Sequence, residues 1–570
     1  MSDTSIGKAF GVSGILMACI TLGFLSHTAH ANDDTWVKTQ TRAVKFAGIQ
    51  QGARSELQPG TVLHVTLGLK VRNKAKLDKL VADKLATVAN AHSAPLTTAE
   101  FLQRYAPTST QVQAVVQHLK NAGFTRIKVA NNRLLVSAEG NAANVKTAFR
   151  TRLKKVRQDR KLVFANADDV QVPSALGDTV LAVLGLQNLR TAHIMARPAP
   201  TVVRTQESNA GIHGHDPSEF SSIYGAGDNQ GGGLTTVGII AQGDLTQTLA
   251  DLQQFQNNHQ FQVPVSTVIT GNASSDTSAI LEWNMDSQVS IGAAGGSLKQ
   301  LIFYVVPTLE NRALTVAYNQ AVSDNQANVI NVSLGECEQY AKADGSSAIQ
   351  DQIFQVAVAQ GQTFAVSSGD DGSDECGDGG TQQSYPAVSP YVIAVGGTTL
   401  TTDENGSYVS ESVWSLSGGG PSSTSPAPDW QLQSGVLGSA QQRGVADIAF
   451  DGDPQSGALV LVNGQEHQVG GTSLSAPIFA GIWARIQTAL NNQAGFAGPW
   501  IYKMGKNNAA VYQDTTIGSN GAFNAAQGWD YPTGFGSIKI DAFSKAMTSL
   551  KTAGAAPVAD AAPESSTLRK

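Results

Sequence analysis

The chain has 570 residues, too long for one ordinary domain, and it divides into two or three folded or processed parts. At 41% hydrophobic and 15% charged it has ample material for a core. Its net charge of −6 hides a split: residues 32–204 carry 26 Lys+Arg against 11 Asp+Glu, and residues 205–570 carry 12 against 33. A basic segment whose acidic counterpart lies on the same chain argues for an internal electrostatic clamp and against a nucleic-acid partner.

In chain order, Lys8, the apolar run 12–25 and the small-residue site Ala29-His30-Ala31 read as a secretory signal over residues 1–31. No later run approaches about 20 apolar residues, so no membrane partner is expected after signal removal. Cys19 falls in the signal, leaving Cys337 and Cys376 as an even pair in an exported chain, which predicts a disulfide. Residues 61–67 alternate like a strand, 74–91, 98–105 and 109–122 have helical spacing, and 127–129 with 134–137 form a strand pair turning at Asn131-Asn132. This is the order of a small α+β domain. A Pro/Ala/Thr-rich stretch, 196–209, reads as an exposed linker with a processing site. Beyond it, apolar runs at 235–240, 300–306, 329–334 and 363–367 alternate with helices, which predicts an α/β domain with a mostly parallel sheet flanked by helices. Residues 551–570 read as a disordered tail, so the parts are 1–31, 32–204, 205–550 and 551–570.

Three motifs carry chemistry. Gly470-Gly471-Thr472-Ser473-Leu474-Ser475-Ala476-Pro477 runs into a helix-like apolar stretch, a setting for a nucleophilic serine at a helix N-terminus. A serine needs a base. His213, His215, His259 and His467 all sit in polar or linker surroundings and read as surface residues. Glu282 and Asp286, four apart in a helix-like segment, share one helical face beside Leu281, Trp283 and Met285, which marks a packed helix rather than a solvated acidic face. Ser367-Ser368-Gly369-Asp370 follows an apolar strand, where α/β sheets gather their ligand sites. On these residues a histidine-based subtilisin-type peptidase and a silent secreted binding module remain alternatives.

The combination resembles the sedolisin family of serine-carboxyl peptidases, of the bacterial pseudomonalisin and xanthomonalisin type. The family's Glu-x-x-x-Asp matches Glu282 and Asp286, its Ser-Gly-Asp loop matches Asp370, and its Gly-Thr-Ser-x-Ser-x-Pro matches residues 471–477. The resemblance implies a subtilisin-like catalytic domain behind a ferredoxin-like α+β propeptide. It implies Ser473 as nucleophile, Glu282 as base, Asp286 as its partner and Asp370 as oxyanion donor. Asp514, Thr515, Ala526, Gly528 and Asp530 resemble the family's site for one structural Ca2+. A secreted, monomeric, acid-acting endopeptidase is implied, cutting proteins and peptides through an acyl-enzyme. Its own propeptide would serve as inhibitor and chaperone, with self-activation at acidic pH. Some relatives carry a further glutamate after the first catalytic strand; residues 239–243 lack it.

Overall fold

The computed structural model describes residues 35–44, 55–86, 94–158, 161–199 and 211–554. The expected signal, most of the tail and the greater part of the 196–209 stretch lie outside them. Residues 55–186 form a first body built on an antiparallel sheet. Its strands are β1 (Val62–Leu69), β2 (Thr125–Val129), β3 (Leu135–Asn141) and β4 (Val180–Leu184), in the order β2-β3-β1-β4. Helices α1 (Lys74–Ala86), α2 (Ser109–Asn121) and α3 (Ala142–Phe149) connect them, giving the ferredoxin-like arrangement. Val65, Val115, Val136 and Phe149 are fully enclosed in a core of this body's own. α2 starts at a capping box: the Thr108 hydroxyl accepts from the Gln111 N–H, and the Gln111 side chain accepts in return from the Thr108 N–H.

The second body is an eight-stranded sheet with helices on both faces. Its strands are β5 (Gly232–Gln242), β6 (Val265–Ile269), β7 (Leu298–Val306), β8 (Val329–Val332), β9 (Thr363–Ser367), β10 (Ile393–Thr402), β11 (Tyr408–Val413) and β12 (Ile448–Asp451). The order is β6-β7-β5-β8-β9-β10-β11, with β12 also beside β10, and every pairing is parallel except β10–β11. Continuous apolar runs become parallel strands because both faces are covered; β8 and β9 are buried at every position. Helices α4 (Thr246–His259), α5 (Ile280–Ala293), α6 (Asn311–Asp324), α7 (Ser346–Gln360) and α8 (Thr472–Ala489) supply the cover.

The first body docks on α7. Gln352 donates to the Leu69 carbonyl at 2.8 Å and accepts from the Val71 N–H at 3.0 Å, while Leu77 and Val81 of α1 join the core of the second body. The expected electrostatic clamp is not made of contact pairs. Among the described residues, no ion pair joins residues 55–186 to the second body; upstream of residue 205, the ion pairs that reach it are those of Arg197 with Asp370 and Asp371. The interface is therefore held by apolar and amide contacts rather than by ion pairs.

Two further differences from the sequence reading stand out. Ala196 and Arg197 are half-buried rather than exposed linker, and Arg197–Pro198 pairs antiparallel with Gln465–Gly470. The last helix, Ile540–Gly554, runs four residues into the expected tail, because Lys551, Thr552 and Ala553 sustain it until Gly554. Cys337 and Cys376 are joined as a disulfide. Among the described residues, no helix is long and apolar enough to cross a membrane.

Candidate active site

Two helices bring the candidate groups together. α5 is buried on all sides from Glu282 to Ala293, as a helix sandwiched between other elements must be. It lies against α8, and the approach is close because position 481 is glycine: a Cβ there would sit 2.6 Å from the Ser290 carbonyl oxygen. α8 begins at Thr472, directly after Gly471, whose φ of 105° turns the chain sharply into the helix and leaves Ser473 in its first turn.

Glu282, Asp286 and Ser473 are each fully buried. The Ser473 hydroxyl donates to the Ser333 carbonyl at 3.2 Å and also faces the Glu282 carboxyl, favouring its ionised form. Glu282 Oε2 accepts from the Ala196 N–H at 2.8 Å. Asp286 Oδ1 accepts from the Ser333 hydroxyl at 2.6 Å, and that hydroxyl in turn accepts from the Asn331 amide at 2.8 Å. Glu282 Oε1 and Asp286 Oδ2 meet no donor in good hydrogen-bond geometry among the described residues. Burial, then the Asp286 charge, push Glu282 well above the usual carboxylate range; burial likewise raises Asp286. Two acids this close and this dry cannot both stay ionised, so the pair holds a proton.

Asp370 approaches from the end of β9. Its Oδ1 accepts from the Thr472 N–H and hydroxyl, each at 2.8 Å, and its Oδ2 faces the Arg197 guanidinium at 3.3 Å. Burial raises it to about 7, against the pull of Thr472 and Arg197 toward the ionised form. Sequence reasoning placed Ser473, Glu282, Asp286 and Asp370, and the fold brings all four to one cleft. It missed Ser333 and Asn331, whose only sequence signal is a polar pair at the end of an apolar strand. It also missed Met195 and Arg197, which carry none.

His213 and His259 lie elsewhere. His213 contacts Thr402 at 3.1 Å and His259 contacts Asp216 at 3.0 Å. His215 is not a surface residue as expected. It is 1% exposed, with its ring 4.4 Å from that of His213, because the short bridge to Ala458 draws it under the sheet edge.

A second acidic site lies near the C-terminus. Asp514 Oδ2 accepts from the Gly528 N–H at 2.8 Å, and Asp530 Oδ2 from the Ala526 N–H at 2.9 Å. Burial raises Asp530 to about 6, with the Asp514 charge adding to it. Among the described residues nothing donates to the carbonyl oxygens of Thr515, Ala526 or Gly528. No group of three or more His, Cys, Asp or Glu side chains converges among those residues, so further oxygens must come from the backbone. Two carboxylates pressed together beside three unclaimed carbonyls fit a hard divalent cation.

Residues 50–189 match the family model of the pro-kumamolisin activation domain, and residues 264–536 match that of the subtilase family. Sedolisin from Pseudomonas sp. (strain 101) is 43% identical over 550 residues, which cover 91% of this chain and 93% of that protein. The chain belongs to the sedolisin family. Xanthomonalisin from Xanthomonas sp. (strain T-22) is 37% identical, over 92% of this chain and 74% of that protein. Among solved structures, Pseudomonas sedolisin (serine-carboxyl proteinase) complexed with two molecules of pseudo-iodotyrostatin shares 45% identity and a TM-score of 0.58. The match covers 60% of this chain and 99% of that one. This sedolisin-family chain is a serine-carboxyl peptidase made as a zymogen, with an activation domain ahead of a subtilisin-like catalytic domain.

Proposed function

We propose that this zymogen is exported by residues 1–31 and becomes an acid-acting endopeptidase outside the cytoplasm. Its propeptide would span 32–204 and its peptidase domain 205–550. Proteins and peptides are its substrates, and it works as a monomer. What carries the reading is the Glu282 carboxyl: a buried acid with one unclaimed oxygen, facing a serine at a helix N-terminus.

Ser473 attacks the peptide carbonyl as Glu282 takes its proton; Glu282 then passes that proton to the leaving amine, and water resolves the acyl-enzyme. Asp286 shares its proton with Glu282 and orients it through the buried Ser333–Asn331 chain. Asp370, protonated, donates to the developing oxyanion; ionised, it would repel that charge.

The sign of the pH dependence follows. Asp370 is raised to about 7, so its useful protonated form is present below that pH and is lost as pH rises through it. Peptide hydrolysis is expected to be highest at acidic pH and to fall across neutrality. The test is a pH profile of wild type beside Ser473→Ala, with the mature N-terminus sequenced; an optimum at pH 8 would remove the reading. Asp370→Ala is expected to lower kcat about 10²–10³-fold at the optimum. The same protonation explains acid activation. Acid thus switches on the oxyanion donor and with it the first cleavage.

Asp514 and Asp530, with the carbonyls of Thr515, Ala526 and Gly528, would hold one structural Ca2+, which neutralises the paired carboxylates. Chelation is expected to lower the melting temperature of the Ser473→Ala precursor by about 5 °C, from roughly 2.7 kcal/mol of binding linkage at roughly 2 °C per kcal/mol. Asp514→Asn should melt at the chelated value and respond no further to chelator. Calorimetry with and without chelator reads both.

A further inference from the structure

A piece of the chain lies where a substrate belongs. His193–Ile194 pairs antiparallel with Leu334–Cys337, Ile194 facing Leu334. Arg197–Pro198 pairs antiparallel with Gln465–Gly470, Arg197 facing Gly470. Met195 and Ala196 cross between these two pairings. The register that sets Ile194 against Leu334 carries Met195 to Ser333, whose carbonyl holds the Ser473 hydroxyl.

The groups around this one peptide bond are those its cleavage needs. A Cβ at Gly471 would come within 1.9 Å of the Met195 carbonyl oxygen and 2.8 Å of Asp370 Oδ2, so that oxygen lies beside the acid assigned to the oxyanion. The Ala196 N–H donates to Glu282 at 2.8 Å, so the bond's nitrogen faces the acid assigned to protonate a leaving amine. The Met195 side chain is 2% exposed, with its sulfur 3.2 Å from the Ser367 hydroxyl and 3.7 Å from that of Thr472. On the other side of the bond, the Arg197 guanidinium donates to Asp371 Oδ1 at 3.0 Å and to the Asp370 carbonyl at 2.6 Å.

We propose that residues 193–198 are the enzyme's first substrate, cut between Met195 and Ala196, and that Asp371 selects a cationic side chain two residues after the cut. The inference rests on the roles given above to Ser473, Glu282 and Asp370. In the step, Ser473 Oγ bonds to the Met195 carbonyl carbon and the Met195–Ala196 C–N bond breaks. The hydroxyl proton travels through Glu282 to the Ala196 nitrogen, which becomes a new amino terminus. Water then splits the ester, leaving a Met195 carboxylate and a free Ser473. The assigned bond lies inside the cleft, upstream of the 204/205 boundary drawn from composition. The same contacts predict that peptide substrates with an unbranched apolar residue before the cut, a small one after it and Arg or Lys next are preferred.

The precursor is shifted to pH 4 and quenched at short times, and its fragments are read by intact mass and N-terminal sequencing. The earliest pair is expected to end at Met195 and begin at Ala196. In parallel, mature enzyme is given the peptide Thr-Ala-His-Ile-Met-Ala-Arg-Pro-Ala, residues 191–199, and its analogue with Gln in place of Arg. Wild type is expected to favour the Arg peptide about three- to fivefold in kcat/KM, the size of a half-exposed ion pair. Asp371→Asn should bring that ratio to about one while still cutting the Gln peptide, which reports intact folding. A first cut at another bond, or a wild-type ratio of one, overturns this inference and leaves the catalytic reading standing. A Ser473→Ala precursor that is cut at the wild-type rate overturns the catalytic reading itself.

Discussion

A precursor carrying Glu282→Gln is expected to stay uncut at pH 4 for hours, and the same protein opened with an external protease should show kcat lowered about 10⁴-fold. Ser473→Ala should lose about 10⁶-fold. The reason is that both residues serve one proton transfer. Glutamine fills the Glu282 site without strain, and its amide can still face the Ser473 hydroxyl, but it cannot take the proton. Because the two groups act as a unit, the double variant should be no slower than Ser473→Ala alone. A subtilisin-type enzyme drawing on a histidine would keep most of its activity in Glu282→Gln, so one kinetic measurement separates the two chemistries. His213, His215 and His259 are engaged instead with Thr402, Glu219 and Asp216.

Asp447→Ala is expected to have the largest effect on stability among single substitutions away from the cleft. Arg443 and Asp447 are both fully buried, and two guanidinium–carboxylate hydrogen bonds join them, at 2.8 and 2.5 Å. Asp447 also accepts from the Tyr502 hydroxyl at 2.7 Å and the Ala394 N–H at 2.8 Å, which ties β10 to the chain entering β12. Removing the carboxylate leaves a guanidinium in a dry interior, a loss of about 3–5 kcal/mol. At roughly 2 °C per kcal/mol for a domain of this size, the melting temperature should fall by about 6–10 °C. Thermal melts of the Ser473→Ala precursor, which cannot digest itself, read the change. Replacing Arg443 and Asp447 together with apolar residues should cost less than Asp447→Ala, since no unpaired charge is then left behind.

Much of this architecture could be read along the chain. The apolar runs at 300–306 and 363–367 became strands Leu298–Val306 and Thr363–Ser367, and the Glu282/Asp286 spacing became one face of Ile280–Ala293. Such features depend on neighbours a few positions apart, where local periodicity and burial agree. His215 misled because its polar neighbours in sequence are not its neighbours in space; strand Ala458–Val462 covers it.

Residue types and short spacings in this chain were enough to single out its candidate groups: a serine at a glycine-rich helix entry, paired acids one turn apart, an aspartate after a buried strand, and a pair of cysteines. Their environment was not written there. That Glu282 and Asp286 are dry enough to share a proton, that Arg197 reaches Asp370 across 173 positions of chain, and that Met195–Ala196 lies over Ser473 all come from segments distant in sequence closing on one cleft. Desolvation and charge proximity depend on three-dimensional distance, and no local pattern encodes it.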